Sequence, residues 1–167
     1  NDVFFRTDAR IFKYSGEKIT IYPTSSVWLS MHKHRENILA HEKNTGLLLY
    51  QNNQCQTFLS RDLLPPDFFI TDIVPYHKDT SLLSTISNGL YLLTKDKLIP
   101  FGIKSTLLNA NQHFTSLWML EDNSFLAGTY FNGIYRISRQ GAVIEHISTK
   151  NGMPNNTVRC LFADNFS

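Results

Sequence analysis

The tetrapeptide Asn88-Gly89-Leu90-Tyr91 returns 44 residues later as Asn132-Gly133-Ile134-Tyr135, and a fixed period of this length limits the possible folds more than any other feature of the 167-residue chain. The same offset carries Ile70 onto Phe114 and Val158, Ile73 onto Leu117 and Leu161, Val74 onto Trp118 and Phe162, and Thr85 onto Thr129. From Ile70 to Tyr135 the copies align without a gap. Apolar residues at i, i+3 and i+4 would also fit one face of a helix, so the spacing alone leaves two readings.

The punctuation of each unit decides between them. In the clearest copy, apolar runs at 114–120, 124–129, 134–138 and 142–147 are separated by Glu121-Asp122-Asn123, Phe131-Asn132-Gly133 and Arg139-Gln140-Gly141. Asn-Gly between β-rich runs predicts a hairpin whose two central residues take positive φ. Four antiparallel strands in about 44 residues is the size of one β-propeller blade. Aromatic residues make up 13% of the chain, which favours strands.

The pattern continues backwards. Thr45-Gly46-Leu47 precedes Asn88-Gly89-Leu90 by 43 residues, and the runs at 3–6, 11–14 and 19–22 read as three strands of an incomplete unit, with Gly16-Glu17 as a turn. The expected organisation is a single all-β array of about four blades' worth of strands, sixteen in number. Its divisions are a partial blade at 1–24, blades at 25–66, 67–109 and 110–153, and the first strand of a further blade at 154–167. One stretch competes: Glu36, Ile38, Leu39, Ala40 and Glu42 favour a helix by local propensity. The repeat register makes 30–44 a strand, a charged turn at Lys33-His34-Arg35-Glu36, and a second strand. Trp118 is expected in the core because its equivalents are Val74 and Phe162. The chain opens on Asn1 and stops within a repeat, so it reads as a slice of a larger protein, with open blade faces and strand edges that favour homo-oligomers.

Composition removes several functions. Sixteen basic and fourteen acidic side chains leave a net charge of +2, and no Lys/Arg run is present, so no nucleic-acid partner is expected. No stretch approaches the roughly 18 apolar residues of a membrane span. Cys55 and Cys160 have no metal or redox spacing and are expected to be buried or half-buried thiols. Of the histidines at 32, 34, 41, 77, 113 and 146, only His32-x-His34 hints at ligation. Beside a charged turn both rings are expected in solvent, so no metal and no cofactor is predicted.

The connector Gly152-Met153-Pro154-Asn155-Asn156-Thr157-Val158, followed by Asp164-Asn165, resembles the two-component regulator propeller repeat, and Phe125-Leu126-Ala127-Gly128-Thr129 resembles its second strand with Leu126 in place of the usual Trp. The bottom-up reading of this connector is structural. Gly152 can take left-handed φ, Pro154 fixes φ, and the two asparagines can close Asx turns on their own backbone. The resemblance implies a fragment of a seven-bladed propeller in the periplasmic sensor region of a hybrid histidine kinase, a membrane-anchored parent of the Bacteroidetes type. It further implies a non-enzymatic segment that senses a ligand, with an oligosaccharide as the expected partner, or that mediates dimerisation of the sensor. Streptogramin lyase, whose repeats are similar, supplies the enzymatic alternative.

Sugar recognition needs aromatic faces beside amide or carboxylate hydrogen-bonding groups. Tyr130, Phe131 and Asn132 on the second-to-third strand turn offer that chemistry, and His113, Asn155 and Asn156 are expected at the same end of the blade. Asn155-Asn156-Thr157 and Asn165-Phe166-Ser167 also fit the glycosylation sequon, a pattern frequent by chance.

Overall fold

The computed structural model describes residues 2–51, 54–105, 108 and 112–164. Among them the chain is all β apart from two single turns of 3-10 helix. Asn165, which ends the acidic turn of the connector motif, and the second sequon lie outside the described residues.

Fifteen strands among the described residues form four antiparallel sheets in chain order. The first sheet holds β1 (Val3–Arg6), β2 (Arg10–Ser15) and β3 (Lys18–Pro23). The second holds β4 (Trp28–His34), β5 (Asn37–Glu42), β6 (Gly46–Gln51) and β7 (Gln54–Ser60). The third holds β8 (Ile70–His77), β9 (Thr80–Thr85), β10 (Leu90–Leu93) and β11 (Leu98–Pro100). The fourth holds β12 (Phe114–Met119), β13 (Phe125–Thr129), β14 (Ile134–Ile137) and β15 (Val143–Ile147). Each strand pairs with its sequence neighbours, as four-stranded blades require. The helix-prone stretch forms the β4–β5 hairpin, because its apolar side chains find burial only in the sheet register. The sixteenth strand is not formed. Val158 to Asp164 has no regular secondary structure: no second strand among the described residues pairs with it, and a ladder needs two.

The repeat is visible in backbone detail. Strands β4, β8 and β12 each carry a bulge one residue after they begin, at Trp28/Ser30, Ile70/Asp72 and Phe114/Ser116. The amides of Lys43, Ile86 and Tyr130, each one residue past the second strand of its sheet, donate to the carbonyls of Val27, Phe69 and His113, each one residue before the first, at 2.9, 3.1 and 2.9 Å.

The Asn-Gly turns differ from the expected geometry. Gly89 and Gly133 have φ of 85° and 74°, but neither Asn88 nor Asn132 has positive φ. A threonine closes each loop instead. Thr85 Oγ1 donates to the Gly89 carbonyl at 2.7 Å and accepts the Asn88 amide, and Thr129 does the same with Gly133 and Asn132 at 2.9 Å each. The turn with two positive-φ residues is Gly16-Glu17, which joins Ser15 directly to Lys18.

The chain divides into two compact units, residues 1–64 and 65–167. In the first, Ile11, Trp28, Ala40 and Tyr50 form the core between two sheets, flanked by Phe4, Tyr22, Met31, Ile38 and Leu48. Glu42 stands where the other repeats have Thr85 and Thr129, and it is fully buried. Its Oε1 accepts Thr24 Oγ1 at 2.5 Å and the Ser26 hydroxyl, and its Oε2 accepts the amides of Asn44 and Thr45 at 3.0 and 2.6 Å. Burial raises its pKa, but the hydrogen bonds from Ser26, Thr24 and Thr45 outweigh burial and hold it at about 2. His34 is buried against Phe58 at 5.9 Å between ring centroids, not solvated as its charged turn implied, because a two-residue turn at 35–36 extends β4 through it.

In the second unit, Val74, Leu82 and Leu90 of the third sheet pack on Leu117, Phe125, Ala127, Tyr135 and Ile137 of the fourth. Asp72 links the two first strands, its Oδ2 accepting the Leu117 amide at 2.8 Å while Oδ1 accepts that of Ile73. At the ends of these sheets, the Arg139 guanidinium lies over the Tyr76 ring at 4.9 Å, and the Tyr76 hydroxyl donates to the Arg139 carbonyl at 2.8 Å. Two further expectations about burial fail. Trp118 is 37% exposed, because it lies on the face of the fourth sheet turned away from the third. Cys55 and Cys160 are exposed and free, on the edge strand β7 and on the segment that follows Val158 respectively.

Candidate functional site

Three pieces of chain meet at one end of the fourth sheet: the lead-in to β12, the β13–β14 turn, and the connector that follows β15. Backbone bonds join them. The Tyr130 amide donates to the His113 carbonyl at 2.9 Å, the Gly133 amide to the Asn156 carbonyl at 2.8 Å, and the Val158 amide to the Thr129 carbonyl at 2.9 Å. Gly133 is required here twice over: φ is 74°, and a Cβ would overlap the Ile147 carbonyl oxygen.

The turn displays its rings in solvent. Phe131 is 60% exposed and Tyr130 38%; their centroids are 4.7 Å apart, edge to face. His113, also exposed, meets Phe131 edge to face at 5.8 Å. These three of the candidate residues form one ring cluster, with the Phe131 ring touching both of the others.

The candidate amides have structural work. Asn132 Nδ2 donates to Gln112 Oε1 at 2.9 Å. Asn155 Oδ1 accepts the Thr157 amide at 2.8 Å, an Asx turn within the connector. Asn156 departs from that expectation: its Oδ1 reaches back to the Thr149 amide at 2.8 Å, tying the connector to the 3-10 turn Thr149–Asn151. That turn is capped by Ser148 and ends at Gly152, whose φ of 112° matches its expected left-handed role.

Two neighbours were not singled out from the sequence. Gln112 is buried beneath Asn132. His146 stacks flat on Tyr135 at 4.2 Å, and its Nε2 lies 2.6 Å from the Asn132 carbonyl oxygen. Burial raises the Tyr135 pKa. Neither residue follows the 44-residue period. Counting back from the turn without interruption would set Tyr135 against Glu145; a bulge between Arg136 and Ile137 moves His146 there. No three His, Cys, Asp or Glu converge as metal ligands among the described residues.

No protein-family model matches the sequence, and no curated protein matches it. Solved structures do. The extracellular domain of a B. thetaiotaomicron protein described as a hybrid two-component system aligns with a TM-score of 0.75 at 17% identity, over 96% of this chain and 23% of its own. A second B. thetaiotaomicron extracellular domain, described as a one-component system, aligns with a TM-score of 0.74 at 16% identity, over 98% and 24%. The WD40 β-propeller domain of Doa1 aligns with a TM-score of 0.59 at 15% identity, over 89% and 49%. The chain therefore has the fold of consecutive β-propeller blades. It spans about a quarter of the length of the two B. thetaiotaomicron chains.

Proposed function

We propose that this chain is a non-enzymatic, extracytoplasmic sensing segment of a hybrid two-component system, and that it binds an oligosaccharide through the end of the fourth sheet. The observation behind the reading is the solvent-exposed ring cluster of Tyr130, Phe131 and His113, held beside Asn132, Asn155 and Asn156. A sugar presents an apolar C–H face and a rim of hydroxyls. The Phe131 ring offers a stacking surface, and side-chain amides at its edge can exchange hydrogen bonds with the rim. The asparagine side chains are already fixed by their own hydrogen bonds before a ligand arrives, which lowers the ordering cost of binding. The likeness in fold to extracellular domains of signalling systems from B. thetaiotaomicron supports the sensing role and an extracytoplasmic location; a periplasmic site and a membrane-anchored parent with the kinase elsewhere are part of the same proposal.

The test is a glycan array followed by calorimetric titration of the best oligosaccharide. Binding at micromolar to millimolar Kd is expected, weakened at least tenfold by Phe131→Ala with no loss of thermal stability. Binding that survives Phe131→Ala and Tyr130→Ala unchanged, or no binding to any glycan, would overturn the reading.

A further inference from the structure

The asparagines around the Phe131 turn divide by which half of the amide is already engaged. Asn155 Oδ1 accepts the Thr157 amide and Asn156 Oδ1 the Thr149 amide, each at 2.8 Å, so both keep their Nδ2 groups to donate. Asn132 is the reverse: its Nδ2 donates to Gln112 Oε1 at 2.9 Å, and its Oδ1 is the group left to a ligand. A sugar carries several hydroxyl donors, and burying one against a site without an acceptor is unfavourable. A site of this composition therefore calls for an acceptor beyond one amide oxygen.

His146 has one. It pairs with Tyr135 across β14 and β15, on the face of the fourth sheet turned toward the third. The imidazole stacks on the Tyr135 ring at 4.2 Å with 1° between the planes, and Nε2 lies 2.6 Å from the Asn132 carbonyl oxygen. A carbonyl only accepts, so Nε2 carries the proton of that bond. In the neutral ring this leaves Nδ1 with an unshared electron pair. No described residue donates to Nδ1, and the atom is open to solvent. The backbone is held as well, because Asn151 Nδ2 donates to the His146 carbonyl at 2.7 Å. Ring plane and tautomer are thus set in the free protein, and little ordering is left for binding to do.

We propose that His146 is a further ligand-binding residue of the sugar site, accepting a hydroxyl hydrogen bond through Nδ1 while Nε2 holds the turn that carries Phe131. Asn132 follows Phe131 directly, so one residue of backbone couples the acceptor to the stacking ring. The pair selects a sugar that brings an apolar face to Phe131 and a hydroxyl donor to His146 together. An analogue without that hydroxyl leaves Nδ1 desolvated and unpaired, which is the stronger form of discrimination. This inference rests on the sugar-binding reading of the same end of the sheet.

The test is calorimetric titration of the full chain with the oligosaccharides that bind on the glycan array, each beside its monodeoxy analogues. His146→Gln keeps an N–H donor for the Asn132 carbonyl but has no acceptor in the place of Nδ1. It should bind the parent sugar about three- to tenfold more weakly, the value of one hydrogen bond. One monodeoxy analogue should lose a similar factor with the unsubstituted chain, yet bind His146→Gln within about twofold of the parent sugar. A purely structural role would weaken parent and analogue alike. In the ligand-free chain at mildly alkaline pH, proton–nitrogen correlation spectra should place the imidazole proton on Nε2. A proton on Nδ1, parent-sugar binding unchanged in His146→Gln, or no analogue whose loss depends on His146 would overturn this inference alone, provided that glycan binding still requires Phe131. Absence of binding to every glycan would overturn the sugar reading and this inference together.

Discussion

The Thr129 hydroxyl sits between Gly133 and Asn132, donating to the carbonyl of one and accepting the amide of the other at 2.9 Å, with no exposure to solvent. Valine has nearly the same shape but neither capacity. Thr129→Val should cost about 1–3 kcal/mol, the range for buried polar groups left unpaired. Urea denaturation measures it. Thr85→Val should cost a similar amount, because the Thr85 hydroxyl makes the same pair of bonds with Gly89 and Asn88.

Gly89 and Gly133 have similar positive φ but different surroundings. A Cβ at Gly89 meets nothing within 4 Å, whereas one at Gly133 runs into the Ile147 carbonyl. Gly89→Ala should cost roughly 1–2 kcal/mol from backbone conformation alone. Gly133→Ala should cost clearly more, and thermal unfolding of the two variants side by side gives the comparison.

Both oxygens of Asp72 accept backbone amides, one from Ile73 and one from Leu117 on the neighbouring sheet. Asn can supply only one acceptor oxygen and turns a donor toward the other amide. Asp72→Asn should destabilise by about 1–3 kcal/mol. Hydrogen exchange should show the Leu117 amide losing protection first.

Acid should weaken the first unit in two stages. His41 is buried, and burial, with Arg61 adding to it, lowers its pKa from 6.5 to about 4. Glu42 is held at about 2, against an ordinary 4.5. In both cases the unfolded chain binds protons more readily than the folded one, so stability rises with pH. The His41 contribution is intact above pH 6.5 and lost as pH falls to about 4. The Glu42 contribution is intact above 4.5 and lost toward 2. Each is on the order of 3 kcal/mol. Equilibrium unfolding from pH 7 to pH 2 should show both losses, and Glu42→Gln should remove the lower one only.

Much of the fold was legible because it is written in local terms. The 44-residue spacing of Asn88-Gly89 and Asn132-Gly133, with apolar runs between turn residues, set the four-strand unit and placed β4–β5 against the helix propensity of 36–42. The candidate site was legible to the same depth: the exposed rings of Tyr130 and Phe131 follow from a turn at a known strand end. What sequence left undetermined depends on atoms distant along the chain. A threonine closes the Asn-Gly loops, where turn statistics favour two positive-φ residues. A bulge sets His146 on Tyr135, and a bulge costs only one residue of register, which no period reveals. Trp118 and Val74 share a repeat position and differ in burial only because one has a sheet packed over it. Periodicity fixes which way a side chain faces; only the folded neighbour decides whether that direction leads into protein or into water.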